Sequence, residues 1–134
     1  MQKDFDGWNE RKKLIQQTEC VGFVHEREIW WCSVGLNIGD EADGKNMNFE
    51  RPVLVLKKFN RRIVLTVPLT TKIKNNPYYF PFVHDRITFA VVISQLRLLS
   101  TNRFTRRIRK IDNTLFEEIK EKIIERAIQR TNPA

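Results

Sequence analysis

The chain has 134 residues, 41% of them hydrophobic and 30% charged, which suits one domain with a real core and removes the need for a disulfide or metal staple. A formal net charge of +8 favours a polyanionic partner: nucleic acid, an anionic membrane surface or an acidic protein tail. The longest apolar stretch, Phe89-Ala90-Val91-Val92-Ile93, is far too short to span a bilayer, so no membrane association by spanning is expected.

The opening, MQKDFDGWNERKK, is polar and lacks the apolar core of a signal peptide. Two cysteines, Cys20 and Cys32, match no zinc or redox spacing. A single disulfide stays open, but a reducing, cytoplasmic compartment is the expectation. Residues 4–17 are charged, with Phe5, Trp8, Leu14 and Ile15 as apolar points, and predict a short amphipathic helix. Residues 28–34, EIWWCSV, are aromatic and β-branched and predict a strand in which one of Trp30 and Trp31 is core. Residues 35–50 carry three of the five glycines and read as a long, mobile loop of the kind that often serves function.

Strands are predicted over 51–57 and 62–68, with Phe59-Asn60-Arg61 turning between them. Pro52 fits near a strand start or on an edge. Residues 70–81 read as irregular. Further strands are predicted over 88–93, 96–99 and 107–111. The period then changes: Leu115, Ile119, Ile123, Ala127 and Ile128 form one helical face, with Asp112 as N-cap. Several short strands closed by one helix suggest a small, twisted, partly open barrel.

Neither His25 nor His84 has a metal-ligand motif beside it, and no P-loop, nucleophile elbow or dinucleotide fingerprint is present. No cofactor or metal is therefore expected. What remains is a basic, hydroxyl-bearing surface. Lys57, Lys58, Arg61 and Arg62 cluster at one turn, and Arg97, Arg103, Arg106, Arg107, Arg109 and Lys110 cluster later. Arginine's planar fork of donors matches phosphate oxygens. Thr70 and Thr71 follow a strand, where hydroxyls can meet a phosphate. Trp30, Trp31, Phe49, Tyr78, Tyr79 and Phe80 offer stacking faces for bases. RNA suits such a surface because it carries its own nucleophile, the 2′-OH. Alignment and charge stabilisation then supply much of the acceleration.

Six segments, in order, resemble the MazF/PemK (Kid-like) toxins of type II toxin–antitoxin systems. Arg27-Glu28-Ile29-Trp30-Trp31 resembles the family's opening strand, and Ile38-Gly39-Asp40-Glu41 with Gly44 its first loop. Arg51-Pro52-Val53-Leu54-Val55-Leu56 is similar to its second strand, and Val67-Pro68-Leu69-Thr70-Thr71 to its Pro-Leu-Thr strand end. Ser94-Gln95-Leu96-Arg97 and Arg107-Ile108-Arg109-Lys110-Ile111 resemble the last two segments before the final helix. The resemblance implies a mainly β, SH3-like barrel with a C-terminal helix. It divides the chain into an N-terminal extension, 1–26, expected to be helical, and a toxin domain, 27–134. It further implies a homodimer whose groove binds single-stranded RNA, and a metal-independent endoribonuclease leaving a 2′,3′-cyclic phosphate and a 5′-OH. A cognate acidic antitoxin is the implied second partner.

By position, the resemblance makes Arg51, Thr70 and Arg97 catalytic. Glu28, Glu41, Lys57, Thr71, Gln95, Ser100 and Arg103 form the expected RNA-binding set. Two departures stand out: Ser100 replaces an aspartate that some members pair with the arginine, and Asp40 stands where some place a histidine. Two other readings therefore stay open: a gyrase-binding toxin of the CcdB-like sister group, and a non-catalytic RNA-binding regulator of the same fold.

Overall fold

The computed structural model describes residues 2–18 and 23–129. Cys20 lies outside them, while Cys32 is a free, buried thiol. The chain is mainly β. Its order is α1 (Phe5–Gln17), β1 (Glu28–Ser33), β2 (Glu50–Lys58), β3 (Ile63–Thr70), β4 (Tyr79–His84), β5 (Ile87–Val92), β6 (Arg97–Ser100), β7 (Phe104–Lys110) and α2 (Asn113–Ile123). One wide helical turn, Ile124–Ile128, continues α2. The strands join antiparallel in the order β4-β5-β3-β2-β1-β7, with β6 on β3. β3 carries β6 along its first half and β5 at its end, so the sheet bends into a partly open barrel of the SH3-like kind.

Alternation along the strands sends side chains to two cores. Ile29, Leu54, Leu56, Val67 and Leu69 join Phe116, Ile119 and Ile123 of α2. Trp30, Cys32, Val53, Val55, Val64, Leu99 and Phe104 form the second core with Val24. Trp30 is thus the core tryptophan, set edge-on to Phe104 at 5.8 Å, while Trp31 is half-buried. A bulge at Leu56 shifts the β2–β3 register between Val55 and Lys57.

Both predicted helices form. The Asp4 side chain caps α1 through Gly7 N at 2.9 Å, and Asp112 caps α2 through Leu115 N at 2.8 Å. On α1 only Trp8 and Ile15 are buried. On α2 the buried face runs through Phe116 rather than on to Ala127 and Ile128, which are exposed.

Two stretches depart from expectation. β3 runs on through Thr70, and β4 lies where an irregular segment was predicted. Its hairpin to β5 turns on Asp85 and Arg86, both at positive φ (49° and 67°). That is the backbone of a tight two-residue hairpin turn without the glycine that usually announces one. The segment read as a mobile loop is anchored at many points. Lys45 and Glu50 pair through both backbone bonds at 2.7 Å, Gly35 N donates to Phe49 O at 3.1 Å, and Gly44 N donates to Gly35 O at 2.7 Å. At Gly44 a Cβ would lie 1.7 Å from Phe49 O, so only glycine fits there.

Candidate functional site

The site is built where β2 begins and β3 ends. The last β2–β3 pair is Val53↔Pro68, so Arg51 and Thr70 each stand two residues beyond it at neighbouring strand ends, and alternation puts their side chains on the same face. The same alternation brings Thr66, and Arg97 paired with it, onto that face. Arg51 Nε donates to the Asp43 carbonyl at 2.8 Å and Nη1 reaches the Leu69 carbonyl at 3.5 Å. Two of the five guanidinium donors are thereby committed, and the fork is held in place. Among the described residues no ion pair engages Arg51. Burial lowers its pKa, with Asp43 and Tyr79 acting in the opposite direction. A guanidinium nonetheless stays protonated in a protein. Thr70 Oγ1 accepts from Lys72 N at 3.1 Å, which orients the hydroxyl and leaves its proton available to a ligand.

Arg97 and Arg103 add charge nearby. The Arg97 carbonyl accepts from Thr66 Oγ1 at 3.1 Å. Arg103 donates through Nη1 to the Ser33 and Val34 carbonyls at 3.3 and 3.5 Å and lies over the Trp8 ring at 5.7 Å. Burial, and then the like charge of Arg97, lower its pKa. The thiol of Cys32, which pairs with Arg51 across β1–β2, is pushed far up by burial and is inert at neutral pH. Among the described residues no three His, Cys, Asp or Glu side chains are grouped to hold an ion, and no helix is long and apolar enough to cross a membrane.

The structure does not bring every candidate to this point. Thr71 is exposed directly after Thr70. Gln95 is spent on the loop: its Oε1 accepts from Ala42 N and its Nε2 donates to the Asp40 carbonyl, both at 3.0 Å. Glu41 closes a turn of the same loop by accepting from Ile38 N at 2.9 Å. Glu28 is buried, only 4% exposed, and ties down the far end of β1. Its Oε1 accepts from His25 N at 2.6 Å and Trp30 Nε1 at 3.1 Å, and its Oε2 pairs with Arg107 at 3.1 Å. Lys57 is exposed on β2, six residues and roughly 20 Å of strand from Arg51. Ser100 caps the turn into β7 by accepting from Asn102 N at 3.2 Å. It lines a separate recess with Arg61 and Arg62. Of the stacking candidates, Tyr78 is exposed, Trp31 lies under Arg106 at 5.0 Å, and Phe49 is taken by Trp8.

Sequence reasoning missed two features of the neighbourhood. Glu50, beside Arg51 but on the opposite face of β2, is a buried carboxylate bonded to Thr105 Oγ1 and to Asn46 Nδ2 at 3.2 Å, with Arg106 at 4.0 Å. Asp43 supplies the carbonyl that holds Arg51, and a backbone carbonyl leaves no signature in a sequence.

Residues 25–126 match the model of the PemK-like, MazF-like toxins of type II toxin–antitoxin systems. The chain belongs to this family. No curated protein matches it. Among solved structures it resembles MazF from Deinococcus radiodurans, with TM-score 0.66 and 18% identity over 78% of this chain and 96% of that one. It also resembles an endoribonuclease solved in complex with its cognate antitoxin, from a mycobacterial species, with TM-score 0.59 and 13% identity over 76% and 92% of the two chains. The Mycobacterium tuberculosis toxin MazF-mt6 is similar at TM-score 0.55 and 16% identity, over 74% and 94%. At these identities the likenesses establish a shared fold. The family match spans both Arg51 and Thr70.

Proposed function

We propose that this chain is a sequence-selective, metal-independent endoribonuclease toxin that cuts single-stranded RNA, with residues 27–134 as the toxin domain. The observation that carries the reading is that Arg51 and Thr70 stand at neighbouring strand ends, each with a donor left for an anion. A scissile phosphate on these donors has its charge neutralised as the pentacovalent state forms, which is where such donors act most strongly. The 2′-OH attacks phosphorus, the O2′–P bond forms and the P–O5′ bond breaks. The proton lost by O2′ is balanced by one gained at O5′ through solvent. The products are a 2′,3′-cyclic phosphate and a 5′-OH. Arg51 remains a cation throughout and acts by charge and position. Arg97 and Arg103 extend the positive field along the strand, and Tyr78 offers an exposed ring to a base.

The family match and the +8 charge support two protein partners: a second copy that completes the groove, and an acidic antitoxin that blocks it. The test is incubation of the pure protein with end-labelled single-stranded RNA in EDTA. Cleavage to fragments ending in 2′,3′-cyclic phosphate is expected. Intact RNA that nonetheless binds would refute the nuclease reading in favour of a regulator.

A further inference from the structure

We infer that α1 and the residues before it are a clamp that positions Arg51 by holding the loop that holds it, with Lys3 and Trp8 as positioning residues. The inference rests on the reading of Arg51 given above.

Lys3 reaches across to the loop from 34 to 40 residues away in sequence. Its ammonium pairs with Asp43 Oδ2 at 2.8 Å and donates to the Asn37 and Gly39 carbonyls at 2.5 and 3.1 Å. One half-buried cation thus uses all three of its donors on a single loop. Asp43 is the hub. Its Oδ1 accepts from Asn37 N at 2.7 Å and its carbonyl accepts from Arg51 Nε at 2.8 Å. The line from Lys3 to Arg51 therefore passes through one residue.

Trp8 makes the second hold. At Gly35, φ is +81° and a Cβ would sit 2.1 Å from the Trp8 ring, so the ring lies directly on the backbone where the loop leaves β1. The same ring meets Phe49 edge-on at 5.6 Å where the loop enters β2. Phe49 is at φ +54°, a left-handed conformation that a bulky residue adopts only when its surroundings impose it. The other neighbour of the ring is Arg103. Trp8 of the helix thus grips both ends of the loop and a flanking arginine, and Lys3 just before the helix grips its middle. A glycine-rich loop gripped this way cannot wander from the geometry that Arg51 needs, and small misplacements of a positioned group cost rate steeply.

The experiment uses the full chain and three variants, Lys3→Ala, Lys3→Arg and Trp8→Ala. Amide exchange is measured over residues 35–50, the Arg51 Nε–H resonance is followed by NMR, and kcat and KM are measured separately on one RNA. Lys3→Ala is expected to speed exchange at Asn37 and Gly44, to expose Arg51 Nε–H to solvent exchange, and to lower kcat about 10- to 100-fold with little change in KM. Lys3→Arg is expected to restore most of all three, and Trp8→Ala to repeat the loss. Unchanged loop exchange and an unchanged Arg51 signal in Lys3→Ala would overturn the clamp. So would a looser loop with an undiminished kcat. Wild-type protein that cuts no RNA sinks the nuclease reading instead, and the exchange and Nε–H measurements then decide the clamp alone.

Discussion

Replacing Arg51 by alanine removes a guanidinium with two commitments to the fold and three further donors. The folding loss is small: the Asp43 carbonyl loses a 2.8 Å bond, and the 3.5 Å contact to Leu69 lies at the limit of bonding. One such bond contributes about 1 kcal/mol net, against a typical stability of roughly 5–15 kcal/mol, so the variant stays folded. The catalytic loss is larger. A donor acting mainly on the transition state is worth about a hundred- to a thousand-fold in rate, or about 3–4 kcal/mol. Lysine at the same position keeps the charge but not the fork, and cannot reach both the carbonyls and a phosphate. Arg51→Lys is expected to recover about a tenth of the wild-type rate or less. The assay is kcat/KM on a single RNA in EDTA, with circular dichroism verifying the fold. A fall in kcat with KM unchanged marks a group used in the transition state. Folded Arg51→Ala protein cutting within tenfold of wild type would refute the assignment.

Thr70→Ala should lose about a hundredfold or more in rate while Thr70→Ser stays active, because the hydroxyl and not the methyl meets the phosphate; equal rates for all three in the same assay would remove Thr70 from the site. Glu28→Ala should cost about 2–3 kcal/mol in urea unfolding, since His25 N and Trp30 Nε1 lose their acceptor, yet cut RNA at the wild-type rate once folded; a stable variant that fails to cut would put Glu28 in the groove after all. Cys32 should resist alkylation in the native protein at neutral pH and react on unfolding, a contrast read by mass spectrometry. The native thiol is held above its ordinary value of 9.0, so the folded state keeps a proton that the unfolded state releases. Its contribution to stability is complete below that value and is lost as pH rises above it, by up to about 1.4 kcal/mol per pH unit. Denaturation midpoints that hold level through alkaline pH in wild type, and match those of Cys32→Ala there, would contradict this.

The fold was legible wherever a pattern repeats. The aromatic and β-branched runs in residues 28–34 and 51–57 yield β1 and β2, and the three-and-four spacing after Asp112 yields α2. β4 was hidden because its hairpin turns on Asp85-Arg86, whose left-handed backbone is unusual for those side chains. Arg51 and Thr70 were legible as strand-end residues inside an ordered set of motifs, and their part in RNA cleavage is the proposal made above. Gln95, Glu28 and Glu41 carry the right chemistry for RNA but spend it on the protein's own backbone and side chains. Composition cannot tell a polar group offered to a ligand from one consumed internally. Lys3 and Trp8 were illegible as loop contacts for a related reason. Their partners lie dozens of residues away, and no periodicity links an isolated lysine to a carbonyl.

The half-buried guanidiniums of Arg97 and Arg103 have a thermodynamic consequence. Arg103 is partly stripped of water, and the like charge of Arg97 beside it raises the energy of its charged form further. The free protein thus carries a like-charge repulsion here that the Ser33 and Val34 carbonyls and the Trp8 ring offset only in part, added to a net charge of +8. Any polyanion that settles on this face relieves it, and the relief appears as resistance to unfolding, growing with the logarithm of ligand concentration. Whatever occupies the face therefore acts as a folding ligand as well. The lifetime of the chain is then coupled to its occupancy, and the unoccupied protein is the form most exposed to heat and proteases.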